Sequence, residues 1–263
     1  MIAREVDIPT SDGTMNAYVA HPDGGGPFPL VVVFMDIWGL REELFAIARR
    51  IAAQGYYALL PNLYYRHGRI AYERRNAAGQ MVSFDTLPAD LQAEMLAIGR
   101  GISRDMLRTD LAGILDYSRH EPVSPGPAGS VGFCLGGRMA FIAGQAFPDK
   151  FRATGSLHGT LLVTDAPQSP HRFAQHMRGE VYCGHAELDK SSAPPVMAGL
   201  AEVLGRRDDV AYSVNLHPGA HHGYSLPDRD VYDHAAAEAD WRAVFAMFER
   251  QLKGPAASVS ADI

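Results

Sequence analysis

The chain has 263 residues, of which 47% are hydrophobic and 21% charged, with a formal net charge of -6. This composition lies far from the low-hydrophobicity regime of disorder, and the length suits one α/β unit with a sizeable core. An acidic surplus without a basic stripe argues against nucleic acid, and two cysteines, Cys134 and Cys183, are too few for a disulfide framework.

The N-terminus, Met1-Ile-Ala-Arg-Glu-Val, lacks the apolar run of a signal peptide, and no apolar stretch reaches membrane-spanning length, so a cytoplasmic protein with no membrane partner is expected. Val6–Pro9 and Met15–Ala20 read as extended runs joined at Ser11-Asp-Gly13, an antiparallel edge hairpin. Pro29–Met35 is short, apolar and β-branched, as a strand covered on both faces of a parallel sheet must be. Leu44, Ile47, Ala48 and Ile51 follow at helical spacing, Gly55 ends that helix, and Tyr57–Leu60 returns as a strand, completing one βαβ unit.

From Arg66 to Gly101 charges are frequent and no period is strong, which predicts loops and short surface helices. Leu107, Leu111, Ile114 and Leu115 restore a helical stripe, and Ser130–Phe133 reads as a strand after a Pro/Gly-rich break. Further strands are expected at Arg152–Leu157, Val181–Cys183 and Val210–Leu216, and an amphipathic helix at Tyr232–Leu252. The segment from Gly254 to Ile263 has no pattern and is expected to be a frayed tail. Alternating strands and helices predict a mostly parallel, doubly wound sheet spanning residues 1–263 as a single domain, with its site beyond the carboxyl ends of the strands.

Gly132-Phe133-Cys134-Leu135-Gly136-Gly137 stands where an apolar strand ends and a helical pattern, Met139–Ala146, begins. This is a nucleophile elbow with cysteine in the serine position, because the sharp turn leaves no room for a Cβ two residues to either side. A sulfur at a helix N-terminus is favoured as thiolate, and the Leu135 amide can face an oxyanion. A glycine-rich helix start around a buried cysteine produces the same local pattern. With Cys134 in the second glycine's place, the segment fails as a dinucleotide fingerprint.

Downstream, Leu216-His-Pro-Gly-Ala-His221-His222-Gly-Tyr carries paired histidines on a loop. His222 is preferred as the base, since the following glycine lets the loop bring its ring toward the elbow while His221 points elsewhere. These histidines and His217 lack the carboxylate or helical spacing of a metal site, so no metal is expected. Val181–Asp189 supplies two acids, Glu187 and Asp189, and spacing leaves the choice open. Cys183, inside its strand, reads as a packing residue.

Taken together, the elbow, Ala186-Glu-Leu-Asp189 followed by Pro194-Pro195, and Pro218-Gly-Ala-His-His222-Gly-Tyr followed by Tyr232-Asp and Ala236-Ala-Glu238 resemble the dienelactone hydrolase (carboxymethylenebutenolidase) family, an α/β-hydrolase branch. The resemblance runs from about Pro29 to Leu252. It implies an α/β-hydrolase fold, a Cys134-His222-Asp189 triad, and Leu135 and Ile37 as amide donors of an oxyanion hole. It places Asp36 where the family has a glutamate that primes the thiol; capping of the following helix is the other role for a residue there. For the family's substrate-binding arginines it offers Arg138 and Arg229, and the aromatic-rich Asn62–Arg66, including Tyr64, and His158-Gly159 are expected at the mouth. The implied activity is hydrolysis of an ester or lactone through an acyl-thioester, with a small-molecule substrate and no cofactor. A general carboxylesterase or acyltransferase on the same scaffold, or a non-catalytic ligand-binding or redox-thiol relative, are the alternatives.

Overall fold

A computed structural model describes residues 1–192 and 194–254. The expected tail, apart from Gly254, lies outside the described residues. β1 (Ile2–Thr10) and β2 (Gly13–His21) form the hairpin at one edge, with Thr10 opposite Gly13 at the turn. β3 (Leu30–Phe34), β4 (Tyr57–Pro61), β5 (Ala128–Phe133), β6 (Phe151–Leu157), β7 (Gly179–Ala186) and β8 (Val210–His217) complete a sheet of order β1-β2-β4-β3-β5-β6-β7-β8 among the described residues. β2 meets β4 antiparallel, and every pairing from β4 through β8 is parallel. This is the mostly parallel α/β-hydrolase sheet that the sequence predicts.

Every residue of β3, β4 and β5 is buried, which is why those strands are apolar apart from Ser130 in β5. α1 (Glu42–Ala53) and α6 (His234–Leu252) cover one face, joined where Arg50 lies over Trp241 and pairs with Glu238. α3 (Arg104–Ser118) and α4 (Leu135–Ala146) pack against each other, α4 lying over β3, β5 and β6. α5 (Pro194–Leu204) packs beside β8. No helix among the described residues is long and apolar enough to cross a membrane.

The stretch from Arg66 to Gly101 departs from expectation. It contains a full helix, α2 (Ala89–Gly101), and a satellite core in which Met81, Leu87 and Met95 pack with Ile37 and Trp38. α2 buries only Met95 and Gly99, too narrow a stripe to give a helical period in the sequence.

Candidate active site

Loops at the carboxyl ends of β3, β5, β6, β7 and β8, together with α2 and the segment before it, build one cavity of about 470 Å³. At the β5–α4 junction Cys134 adopts φ 55, ψ -115, a conformation that side-chain-bearing residues rarely hold. The two flanking glycines make it possible. A Cβ on Gly132 would lie 2.0 Å from the Gly136 carbonyl oxygen, and one on Gly136 would lie 2.2 Å from that of Phe34. Leu135 opens α4 immediately after Cys134, and Cys134, Leu135 and Ile37 all line the cavity.

His222 donates Nδ1 to Asp189 Oδ2 at 2.6 Å, and its ring shares the cavity with Cys134. With Nδ1 held by Asp189, Nε2 is the nitrogen left for the sulfur. Burial opposes charging of the ring, but the Cys134 charge and the hydrogen bond and charge of Asp189 outweigh it and raise His222 to about 10. Asp189 also accepts the Ser191 amide at 2.8 Å. Glu187, the other acid, accepts the Gly219 amide at 2.8 Å and so pins the histidine loop without touching the ring. Gly223 follows His222 with φ 96, and a Cβ there would press on the Arg229 guanidinium at 3.2 Å. His221, expected to point away, is exposed but still lines the cavity rim, because the loop turns only after it.

Asp36 is buried and turned toward Arg41. Its Oδ1 accepts Arg41 Nη1 at 2.7 Å and the Trp38 amide at 3.1 Å, and its Oδ2 accepts Arg41 Nη2 at 3.1 Å. Both oxygens are thus taken by a buried arginine and a turn amide. It does not cap α1, whose N-cap is Arg41 with no side-chain cap bond. Arg41 continues to Asp228 at 2.6 Å, tying the loop that carries Ile37 to the chain beyond His222.

Tyr64 and His158 are not at the mouth. Tyr64 is wholly buried and donates its hydroxyl to the Ile37 carbonyl at 2.9 Å, bracing that loop from below. His158, with φ 40, contacts Ser225 Oγ through Nε2 at 2.8 Å and sets its ring edge-on to His222, with centroids 4.9 Å apart. Burial first, then the positive charges of His222 and Arg229, hold His158 neutral. The neighbouring Tyr65 and Arg66 turn toward Asp110.

Arg138 and Arg229 do line the cavity. Arg229 is buried, lies over the Trp38 ring at 5.3 Å and comes within 3.9 Å of Asp36. Arg138 donates to the Gly99 carbonyl at 3.2 Å. Sequence reading missed Arg100, Leu161 and Phe84, which also line the cavity. They come from segments without a chemical motif and face the site only through tertiary packing.

His217 is buried and bonds Asp240 through Nε2 at 2.6 Å. Tyr182 donates to the same carboxylate oxygen at 2.6 Å, and Tyr224 donates to the other oxygen, fastening α6 under the histidine loop.

A cysteine held at a strained strand-to-helix bend, on a parallel sheet of this strand order, defines an α/β-hydrolase. Residues 15–252 match the model of the dienelactone hydrolase family, and the chain belongs to that family as an ester-hydrolysing enzyme. The "putative carboxymethylenebutenolidase" of Synechocystis sp. is 27% identical over 252 residues, which cover 94% of this chain and 96% of that protein. A protein of the same name from Saccharolobus solfataricus is 26% identical over 268 residues, covering 92% of this chain and 97% of its own. Among solved structures, a "putative dienelactone hydrolase" from Klebsiella pneumoniae superposes with a TM-score of 0.79 at 23% identity, covering 95% of this chain and 98% of that one. A dienelactone hydrolase-like promiscuous phosphotriesterase from metagenomic libraries gives 0.73 at 23% identity over 95% and 98%. At these identities the structural likeness is one of fold.

Proposed function

We propose that the chain hydrolyses an ester or lactone of a small molecule with Cys134 as nucleophile, His222 as base and Asp189 as the acid that orients it. The observation carrying this reading is the His222 Nδ1–Asp189 hydrogen bond at 2.6 Å in the same cavity that Cys134 lines, with the Cys134 charge acting on the ring. In this mechanism His222 takes the thiol proton, and the thiolate attacks the carbonyl carbon. The Leu135 and Ile37 amides take the developing oxyanion. As the tetrahedral adduct collapses, the carbon–oxygen bond breaks and His222 gives its proton to the leaving alkoxide or enolate. A thioester remains. Neutral His222 then takes a proton from water, the hydroxide adds to the thioester, and the thiolate leaves with the carboxylic acid released.

Every step uses the chain's own groups and water. Esters and lactones suit this nucleophile better than amides, because the adduct expels a thiolate more readily than an amine. The reading treats the chain as one catalytic unit acting in the cytoplasm, where a thiol nucleophile stays reduced. Turnover of activated esters and lactones by the wild type, Cys134→Ala and His222→Ala tests it, together with mass-spectrometric trapping of the acyl-enzyme. Both variants are expected to lose activity by on the order of 10⁴-fold or more, with the acyl mass on the peptide that contains residue 134. Equal turnover in all three would end the proposal.

A further inference from the structure

The turn at residues 157–161, where β6 ends, touches the nucleophile and the base at once. The Leu157 carbonyl accepts the Cys134 amide at 3.1 Å, and the Thr160 amide donates to the Cys134 carbonyl at 3.1 Å, so the peptide that bears the nucleophile is bracketed from both sides. Between those two bonds stands His158, whose ring lies edge-on to His222 with centroids 4.9 Å apart. Its amide donates to the Gly184 carbonyl at 2.8 Å, on the strand that leads to Asp189.

His158 stands there at two costs. It holds φ 40, a region that side-chain-bearing residues rarely adopt, and its buried Nδ1 has no partner. Such residues persist where the surroundings over-determine them, and they cluster at working sites. Histidine is also the ring-bearing residue enriched at positive φ, so a turn of this shape that must carry a ring selects it. Behind it the stack continues. Tyr224 lies edge-on to His158 at 5.4 Å and His217 lies 4.9 Å from Tyr224, and both of these bond the wholly buried Asp240. With Ser225 Oγ holding Nε2 at 2.8 Å, the His158 ring has nowhere to recede.

His222 needs a wall of this kind. The Asp189 bond fixes one atom of its ring, while the terminal torsion of a histidine is broad and lets the ring pivot about that bond. We propose that His158 is a positioning residue for the base: its ring, wedged between His222 and Tyr224, keeps the His222 imidazole aligned between Asp189 and Cys134 as the proton is taken and given back. Burial first, then the charges of His222 and Arg229, keep this wall neutral, so it does not repel the imidazolium it abuts. The role rests on the triad reading above and goes beyond it, since His158 is wholly buried and acts through His222.

Hydrolysis of p-nitrophenyl acetate, resolved into acylation and deacylation by stopped flow, tests it on variants shown to be folded by circular dichroism. His158→Asn suits φ 40 but has no ring. Its kcat is expected to fall on the order of 10²-fold with KM within a few-fold, and both steps should slow by similar factors because His222 works in both. His158→Gln, the second ring-less variant, should behave alike although it keeps a polar group for Ser225. His158→Phe keeps the ring, and should hold kcat within a few-fold of the wild type while unfolding at lower urea, since phenylalanine fits φ 40 poorly. Wild-type kcat in either ring-less variant, an equal loss in the Phe variant, or a loss confined to acylation would overturn the role. Ester turnover equal in the wild type and Cys134→Ala would instead overturn the triad reading beneath it.

Discussion

His222 stands between Asp189 and Cys134, side chains from two carboxyl-end loops, and its raised value follows from these neighbours. The ring is 28% exposed, yet a sulfur and a carboxylate with 4% exposure flank it, and both favour the imidazolium. ¹⁵N NMR of the imidazole should show His222 titrating near 10 in the wild type and markedly lower in Asp189→Asn and in Cys134→Ala. A ring that titrates near its ordinary value in all three proteins would refute the coupling. The sign for stability follows directly. Between about 6.5 and about 10 the folded chain holds a proton on His222 that the unfolded chain has released. Counted for His222 alone, this stabilisation is fully present below 6.5 and is lost as pH rises through 10. The same geometry separates the two acids. Asp189→Asn should lower kcat by on the order of 10²–10⁴-fold by spoiling the tautomer of the base, while Glu187→Gln, which touches a loop amide, should leave it within a few-fold. Reversed effects would reassign the acid.

At the scale of elements, the loop after β3 is held by charges as well as by backbone bonds such as that from the Gly39 amide to the Asp36 carbonyl at 3.3 Å. Arg41, 10% exposed, bridges Asp36 and Asp228, and the three fix the segment on which Ile37 stands. Arg41→Met should cost about 3–5 kcal/mol in urea unfolding, since it strands buried carboxylates, and adding Asp36→Asn should recover part of that loss. An unfolding midpoint unmoved by Arg41→Met would show that the loop is held by other contacts. This ion-pair chain also shows what sequence can disclose. Asp36 and Asp228 reach the same guanidinium across 187 residues from Arg41 to Asp228, and no local pattern records that. The elbow is legible because its requirements are local: strand, glycine, nucleophile and glycine within five residues. The strands β3 to β5 are legible because burial on both faces leaves almost only apolar residues and glycine, Ser130 being the exception. α2 is not, because it buries two side-chain positions and scatters Asp90, Glu94 and Arg100 over the rest. Tyr64 and His158 are recognisable in sequence as residues near the site. Their places behind it depend on a carbonyl of Ile37 and a hydroxyl of Ser225, contributed by distant loops.

Across the whole molecule, the candidate triad draws on the carboxyl ends of β5, β7 and β8, so it exists only when the central sheet is closed. The chain's two cysteines report on this at two depths. Cys134 is partly exposed in the cavity, whereas Cys183 lies wholly buried on β7, packed with Phe141, Val181 and Leu200. Burial, aided by the nearby Asp240 charge, pushes the Cys183 thiol up and keeps it protonated and unreactive. β7 is flanked by β6 and β8, and exposing Cys183 requires breaking both ladders. Its reaction with an aromatic disulfide reagent should therefore proceed through global unfolding, which for a domain of this kind costs about 5–15 kcal/mol. In native buffer one equivalent of thiol is expected to react quickly, with ester turnover lost in proportion. The second equivalent should react at least on the order of 10³-fold more slowly and follow the urea transition seen by circular dichroism. Cys134→Ala should abolish the fast phase alone, and Cys183→Ala the slow phase alone. Two thiols reacting at one rate in native buffer would mean that β7 opens locally, and the sheet centre would then not be the closed frame on which the site depends.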